Sequence, residues 1–169
     1  MIAEIQPQSL PWYAVQTRAR WEQPSAKLLA EKGYEVFCPT RPGRRSSEPL
    51  FPSYLFCRST NARFGLIVTT PGVLRLLGRP GHPESVPDAE IASVRRIVAA
   101  GLPVEGGVGL TVGSRVRISR GPLSGLVGQI VGSSGGQRLA LSINLLQRSV
   151  SVLLDPSWLQ PSSSPDSVN

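Results

Sequence analysis

A chain of 169 residues, 40% of them hydrophobic, can form one ordinary domain or two small ones, and 18 basic against 11 acidic side chains leave a net charge of +7 that suits a phosphate-rich partner. No apolar run approaches the roughly 20 residues of a membrane helix, and Met1 to Pro11 holds Glu4 and no hydrophobic export core. Cys38 and Cys57 lack metal-ligand spacing and His82 is the sole histidine, which argues against a zinc site and reads the thiols as small buried hydrophobes of a reducing cytoplasm.

Trp12 to Thr17, apolar after Pro11, predicts a first strand. Arg18 to Lys32 predicts a helix with Trp21, Leu28 and Leu29 on one face, Pro24 in the first turn and Gly33 as a left-handed cap. Tyr34 to Cys38 is a short strand stopped by Pro39. Residues 39–49 then form a long hairpin-tip loop carrying Arg41, Arg44 and Arg45; it is either a solvated connector or an arm that touches phosphates.

The stretch Pro49-Leu50-Phe51-Pro52-Ser53-Tyr54-Leu55-Phe56-Cys57 has the β-propensity of a central strand, interrupted by Pro52. Proline cannot donate to a sheet ladder, so the strand runs from about Tyr54 to Arg58 with a Phe51-Pro52 knuckle at its mouth. Phe51 either closes the core or stands out as an apolar anchor of the kind that dominates interfaces. Ser59 to Val68 reads as a short helix, Val73 to Leu77 as a strand, and Gly78 to Pro83 as a turn-rich loop. Ser85 and Asp88 have capping-box spacing ahead of a helix that buries Ile91, Val94, Ile97 and Val98 and ends at Gly101. The order β-α-β-β-α-β-α predicts an α+β architecture, an antiparallel sheet covered by helices on one face.

Leu102 to Val112, with Gly106, Gly107 and Gly109, reads as a flexible linker. Beyond it, Val116 to Ile118, Val127 to Val131, Leu139 to Ile143 and Val150 to Leu154 are short strands at the spacing of a small barrel, closed by Trp158-Leu159, and Pro161 to Asn169 reads as disordered. Leu139, Ile143, Leu146 and Val150 also fit one helix face. Gly121, Gly125, Gly128 and Gly132 decide for strands, because each interior glycine costs a helix about 1 kcal/mol.

Enzyme chemistry finds no support. His82 lies in a Gly/Pro loop, and Gly106-Gly107-Val108-Gly109 is followed by no Gly-Lys-Ser/Thr and by a strand instead of a helix.

The segment Pro49 to Phe56 resembles the PLFPgYlF signature of the NusG family of transcription elongation factors. Trp12-Tyr13-Ala14-Val15 resembles that family's opening strand, and Thr70-Pro71-Gly72-Val73 its tpGV turn. Val86-Pro87-Asp88 with Glu90-Ile91 is similar to its next helix start, and Gly113 to Ile118 through Gly121-Pro122-Leu123 and Gly128 to its KOW motif. The resemblance implies a tail at 1–10, an NGN-type antiparallel sheet with helices at 11–101, a linker at 102–112, an SH3-like KOW β-barrel at 113–160 and a disordered tail at 161–169. It also implies a cytoplasmic, non-enzymatic monomer without cofactor or metal.

By the same resemblance, Gln16, Phe51, Pro52, Ser53 and Tyr54 would bind the clamp of RNA polymerase, and Arg18 and Arg20 would lie near the non-template DNA, joined by Arg41, Arg44 and Arg45. Leu145 and Leu146 match the hairpin tip that meets a small-subunit ribosomal protein; Rho is the further partner of housekeeping members. Arg20-Trp21-Glu22-Gln23 replaces the housekeeping start of the first helix, and Arg63-Phe64-Gly65 replaces the His-Thr-Thr of some specialised members. The favoured reading is a specialised paralogue, similar to RfaH and UpxY-type antiterminators. The alternatives are a housekeeping NusG, and a KOW-type RNA- or ribosome-binding protein. The glycines argue against a helical second domain folded over the first, so Phe51 and Tyr54 are expected to be uncovered in the free protein.

Overall fold

A computed structural model describes residues 10–108, 113, 115–133, 136–143, 146 and 148–162. The chain packs as two compact units, one drawn from Met1–Cys38 and Pro52–Asp88, the other from Pro39–Phe51 and Ala89–Asn169.

The first unit is built on β1 (Trp12–Thr17), β2 (Val36–Phe37), β5 (Tyr54–Arg58), β6 (Val73–Leu76) and β9 (Ser85–Val86). The sheet order is β2-β5-β1-β6, with β9 also on β1, and every pairing is antiparallel. The predicted span of β1 matches the structure, and Pro52 stands just outside β5, where it blocks no ladder bond of an inner strand. Alternation along β1 and β5 sends Val15, Leu55 and Cys57 to one face. There they pack with Leu29 of α1 (Glu22–Glu31), Tyr34, and Ile67 of α2 (Phe64–Val68). Trp12, Ala14 and Phe56 point the other way and are also buried, with the Phe56 ring stacked on Phe37 at 6.2 Å. Arg58 fastens the far end of β5. Its guanidinium lies 4.6 Å over the Trp12 ring, pairs with Glu35 and Asp88, and donates to the Leu10 carbonyl.

Two expectations shift here. Helix α1 starts at Glu22, so Trp21 is its N-cap residue and is 38% exposed, and Glu22, Ser25 and Leu29 turn inward instead. Ser85 does not stand at the cap position: it belongs to β9, opposite Tyr13, and α3 (Asp88–Ala99) begins three residues later. A small hairpin of β7 (Gly78–Arg79) and β8 (His82–Pro83) completes this unit.

In the second unit, β3 (Thr40–Pro42) and β4 (Ser47–Pro49) turn the expected loop into a short hairpin, and Ile91, Val94 and Ile97 are buried on α3. The remaining strands are β10 (Val104–Val108), β11 (Arg115–Ile118), β12 (Val127–Ser133), β13 (Gly136–Ile143), β14 (Arg148–Leu153) and β15 (Leu159–Pro161), in the order β10-β14-β13-β12-β11-β15. These residues form strands and no helical hairpin, in line with the glycine argument. Two differences stand out. The stretch expected as linker supplies β10, paired with β14 from Val104↔Val152 to Val108↔Arg148. Moreover, the six strands form an open path in which, among the described residues, β10 and β15 do not pair to close a barrel. Val116, Ile118, Leu123, Leu126, Val150, Val152 and Leu154 are its buried side chains. Arg96 of α3 donates to the carbonyl oxygens of Pro122 and Ser124 at 3.2 and 2.8 Å.

Candidate functional site

The candidate site lies where β1 runs out. After Thr17 the backbone is stitched to two neighbouring turns: Thr17 N–H donates to Ser53 O and Arg18 N–H to Gly72 O, both at 2.8 Å. The turn tightens as Trp21 N–H donates to Arg18 O at 3.1 Å. Two non-glycine residues here, Arg20 and Ser53, hold φ of 68°, a left-handed conformation that costs an L-residue on the order of 1 kcal/mol. Ser53 is held in place by a buried carboxylate. Its N–H donates to Glu22 Oε1 at 2.7 Å, and Glu22 is only 4% exposed. Ser25 Oγ donates to Pro71 O at 2.8 Å, which ties α1 to the next turn. At Gly72, φ is 84° and a Cβ would run into the Trp21 indole and Ser25 Oγ, so the indole rests against bare backbone.

Beside this junction, register alone places Tyr54, Gln16 and Arg75 in one row across β5, β1 and β6. Arg75 Nε donates to Gln16 Oε1 at 2.8 Å, which orients the amide. Gln16 and Tyr54 are half-buried, Arg75 and Pro52 exposed. Gln16, Pro52, Ser53 and Tyr54 are thus brought together with Arg18 and Arg20, which are exposed and carry no ion pair among the described residues.

Other expected residues fall differently. Phe51 is 1% exposed, so the expectation that it is uncovered is corrected in favour of the core alternative, whereas Tyr54 keeps part of its surface. Arg41 pairs with Glu48 at 3.1 Å across the β3–β4 hairpin, an exposed pair of little energetic weight. Arg44 and Arg45 are exposed in the turn between those strands. Leu146 is 9% exposed, hence buried, and Leu145 lies outside the described residues. Reading the sequence missed Glu22, Trp21 and Gly72 as parts of the junction. The only signal for them was the tpGV turn itself, whose glycine marks a close backbone approach.

Burial pushes the thiols of Cys57 and Cys38 up to about 12 and about 11, so both are protonated at neutral pH and poor nucleophiles. Among the described residues no group of three or more His, Cys, Asp or Glu side chains could hold a metal ion, and no helix is long and apolar enough to cross a membrane.

Residues 10–95, the stretch that contains the whole junction, match the family model described as NusG, transcription termination factor. The chain belongs to the NusG family. The NusG family comprises non-enzymatic transcription factors whose members act with RNA polymerase. Among solved structures the chain is similar to Thermotoga maritima NusG, solved in a study of its domain interaction, with a TM-score of 0.59, 24% identity, and coverage of 90% of this chain and 97% of that one. At that identity the likeness shows the NusG fold. The MjSpt4:Spt5 complex, conformations A and B, matches with a TM-score of 0.35 and 14% and 15% identity, over 90% of this chain and 98% and 97% of the matched chains. No match was found among curated proteins.

Proposed function

We propose that this NusG-family chain is a transcription elongation factor of the specialised, antiterminating kind, which binds the RNA polymerase clamp and suppresses pausing at particular operons. The observation that carries the reading is the junction at the end of β1. A row of Tyr54, Gln16 and Arg75 opens beside a knuckle that strain, the Glu22 carboxylate and two backbone bonds fix in one shape. A preorganised surface of this kind binds without paying an ordering entropy. Tyr54, Gln16, Pro52 and Ser53 make the polymerase contact, and Phe51, being buried, takes no direct part in it. Arg18 and Arg20 face the non-template DNA, with Arg41, Arg44 and Arg45 as a second basic element. Residues 113–160 act as a KOW module that receives a small-subunit ribosomal protein, in a cytoplasmic monomer; Leu146, being buried, belongs to its core and not to the receiving surface.

The test is capture of core RNA polymerase by the tagged chain, with a pause assay on the captured complex. Tyr54→Ala should weaken capture by about 2 kcal/mol, the usual cost of truncating an interfacial aromatic, without changing the melting temperature. Wild-type chain that fails to bind polymerase would overturn the reading in favour of an RNA- or ribosome-binding protein. Stimulation of Rho-dependent termination would assign it to the housekeeping kind.

A further inference from the structure

Between α2 and the β7–β8 hairpin lies a cleft of about 330 Å³ that the polymerase reading leaves unused. Its apolar walls are Phe64 and Val68 of α2, Leu76 of β6, and Pro80 and Pro83 of the hairpin. Packing behind the first wall keeps it in place. Phe64 and Leu76 lean on the core of the first unit, and the Phe64 ring meets Tyr13 edge-on at 4.9 Å. The hairpin wall is stiff by composition, because each proline fixes its own φ. Gly78 starts the hairpin at φ 126°, where a Cβ would collide with Glu84 N and Pro83 Cα, so the chain folds back tightly on itself at that point. The cleft is therefore preformed, and little ordering is left to do on binding.

The charged lining defines what the cleft can receive. Among the described residues it consists of two guanidinium groups, Arg75 and Arg79, and no carboxylate. Both side chains are exposed and neither forms an ion pair among the described residues. Arg75 uses Nε on Gln16 Oε1 at 2.8 Å, which leaves its terminal nitrogens with no hydrogen bond among the described residues. A guanidinium fork matches the two oxygens of one carboxylate. No hydroxyl or lysine side chain joins the two arginines, so a phosphate, with three strong acceptor oxygens, is less well served. The volume lies at the lower end of the range for ligand sites, roughly 300–1,000 Å³, and suits a small molecule with an apolar body.

We infer that this cleft binds a small amphiphilic carboxylate, with its apolar body between Phe64, Val68 and the two prolines and its carboxylate on Arg75 and Arg79. The inference goes beyond the polymerase and nucleic-acid contacts and depends on neither. It shares one side chain with the polymerase row, since Arg75 also orients the Gln16 amide. Occupancy of the cleft is thus felt at Gln16.

The test follows the full chain by amide NMR during titration with phenylbutyrate, with phenylbutanol and acetate as comparisons. Phenylbutyrate should shift the backbone amides of Val68, Arg75, Leu76 and Arg79 and the side-chain amide of Gln16, saturating with a Kd on the order of 1 mM or below. Phenylbutanol keeps the apolar body and should bind about fivefold more weakly, the scale of an exposed charge pair. Acetate keeps the carboxylate and should not saturate at the same concentrations. Arg79→Gln should lose about fivefold for phenylbutyrate and nothing for phenylbutanol. Val68→Trp, which fills the cleft from an exposed position, should abolish binding of both. Arg79→Gln, at an exposed side chain outside the polymerase row, keeps the test decisive if Val68→Trp disturbs the fold. Equal affinity for the acid and the alcohol, saturation by acetate at the same amides, unchanged phenylbutyrate affinity in Arg79→Gln, binding by folded Val68→Trp, or no saturable shift up to about 10 mM phenylbutyrate would each overturn the inference. Failure to capture polymerase would sink the elongation-factor reading and leave this result standing.

Discussion

The contact that most directly tests the architecture of the junction is the one between Glu22 and the Ser53 amide. Glu22→Ala removes a carboxylate that accepts a 2.7 Å bond from a backbone N–H 31 residues away, in a position 4% exposed. A hydrogen bond to a charged acceptor contributes roughly 1.5–3 kcal/mol, and the abandoned N–H would be left without its acceptor. Desolvating the carboxylate offsets part of this, so the expected loss is about 2 kcal/mol, or a fall of ~4–8 °C in melting temperature for a chain of this length. Glu22→Gln keeps an acceptor and should lose about half as much. Urea unfolding gives the free energy. Amide exchange gives the location: because Ser53 is strained at φ 68°, the knuckle should open first, and protection of its N–H should fall about thirtyfold. A Glu22→Ala protein within 0.5 kcal/mol of wild type, with Ser53 exchange unchanged, would refute the idea that this carboxylate fixes the knuckle.

Gly72→Ala and Gly33→Ala should differ although both glycines have positive φ, 84° and 88°. At Gly33 nothing lies within 4 Å of the added Cβ, so only left-handed strain of about 1 kcal/mol is expected, whereas Gly72→Ala should lose at least about 2 kcal/mol by displacing the Trp21 indole; equal losses in urea unfolding would refute the packing of Trp21 on Gly72. Burial raises the Cys57 thiol from 9.0 to about 12, so the folded state holds its proton more tightly than the unfolded chain. That contribution is whole below pH 9 and drains away as pH climbs toward 12, so the alkaline fall in melting temperature should be shallower in Cys57→Ala; an identical alkaline limb would refute it.

The first unit was legible where local preference and tertiary packing agree. Trp12–Thr17 and Tyr54–Arg58 are β-prone, apolar and bounded by Pro11 and Pro52, and both formed as strands over the predicted spans. Trp21 misled because helical periodicity counts an aromatic as inward, while the real start at Glu22 buries a carboxylate that accepts from the distant Ser53 amide. Ser85 has the spacing of a cap, yet the edge of β1 offers it a strand partner. Val104–Val108 looked like a linker because glycine has poor intrinsic β-propensity; its strand depends on pairing with β14, more than forty residues further along. The basic and aromatic residues of the junction were visible as types, but the register shift of β1 against β6 between Gln16 and Thr17 and the two φ values that gather them were not.

The pairing of Val104–Val108 also sets a length. Helix α3 ends at Ala99 and β10 starts at Val104, so only residues 100–103 join them, a leash on the order of 14 Å at full extension. It is not fully extended: Gly101 turns through φ 67°, Ala100 and Gly101 bond back to the helix, and Pro103 O accepts from Leu153 N–H. Whatever docks on the six-stranded sheet is therefore carried at a nearly fixed address beside α3. A partner bound to that sheet would meet a second ligand bound beside α3 at an effective concentration in the millimolar range of short tethers.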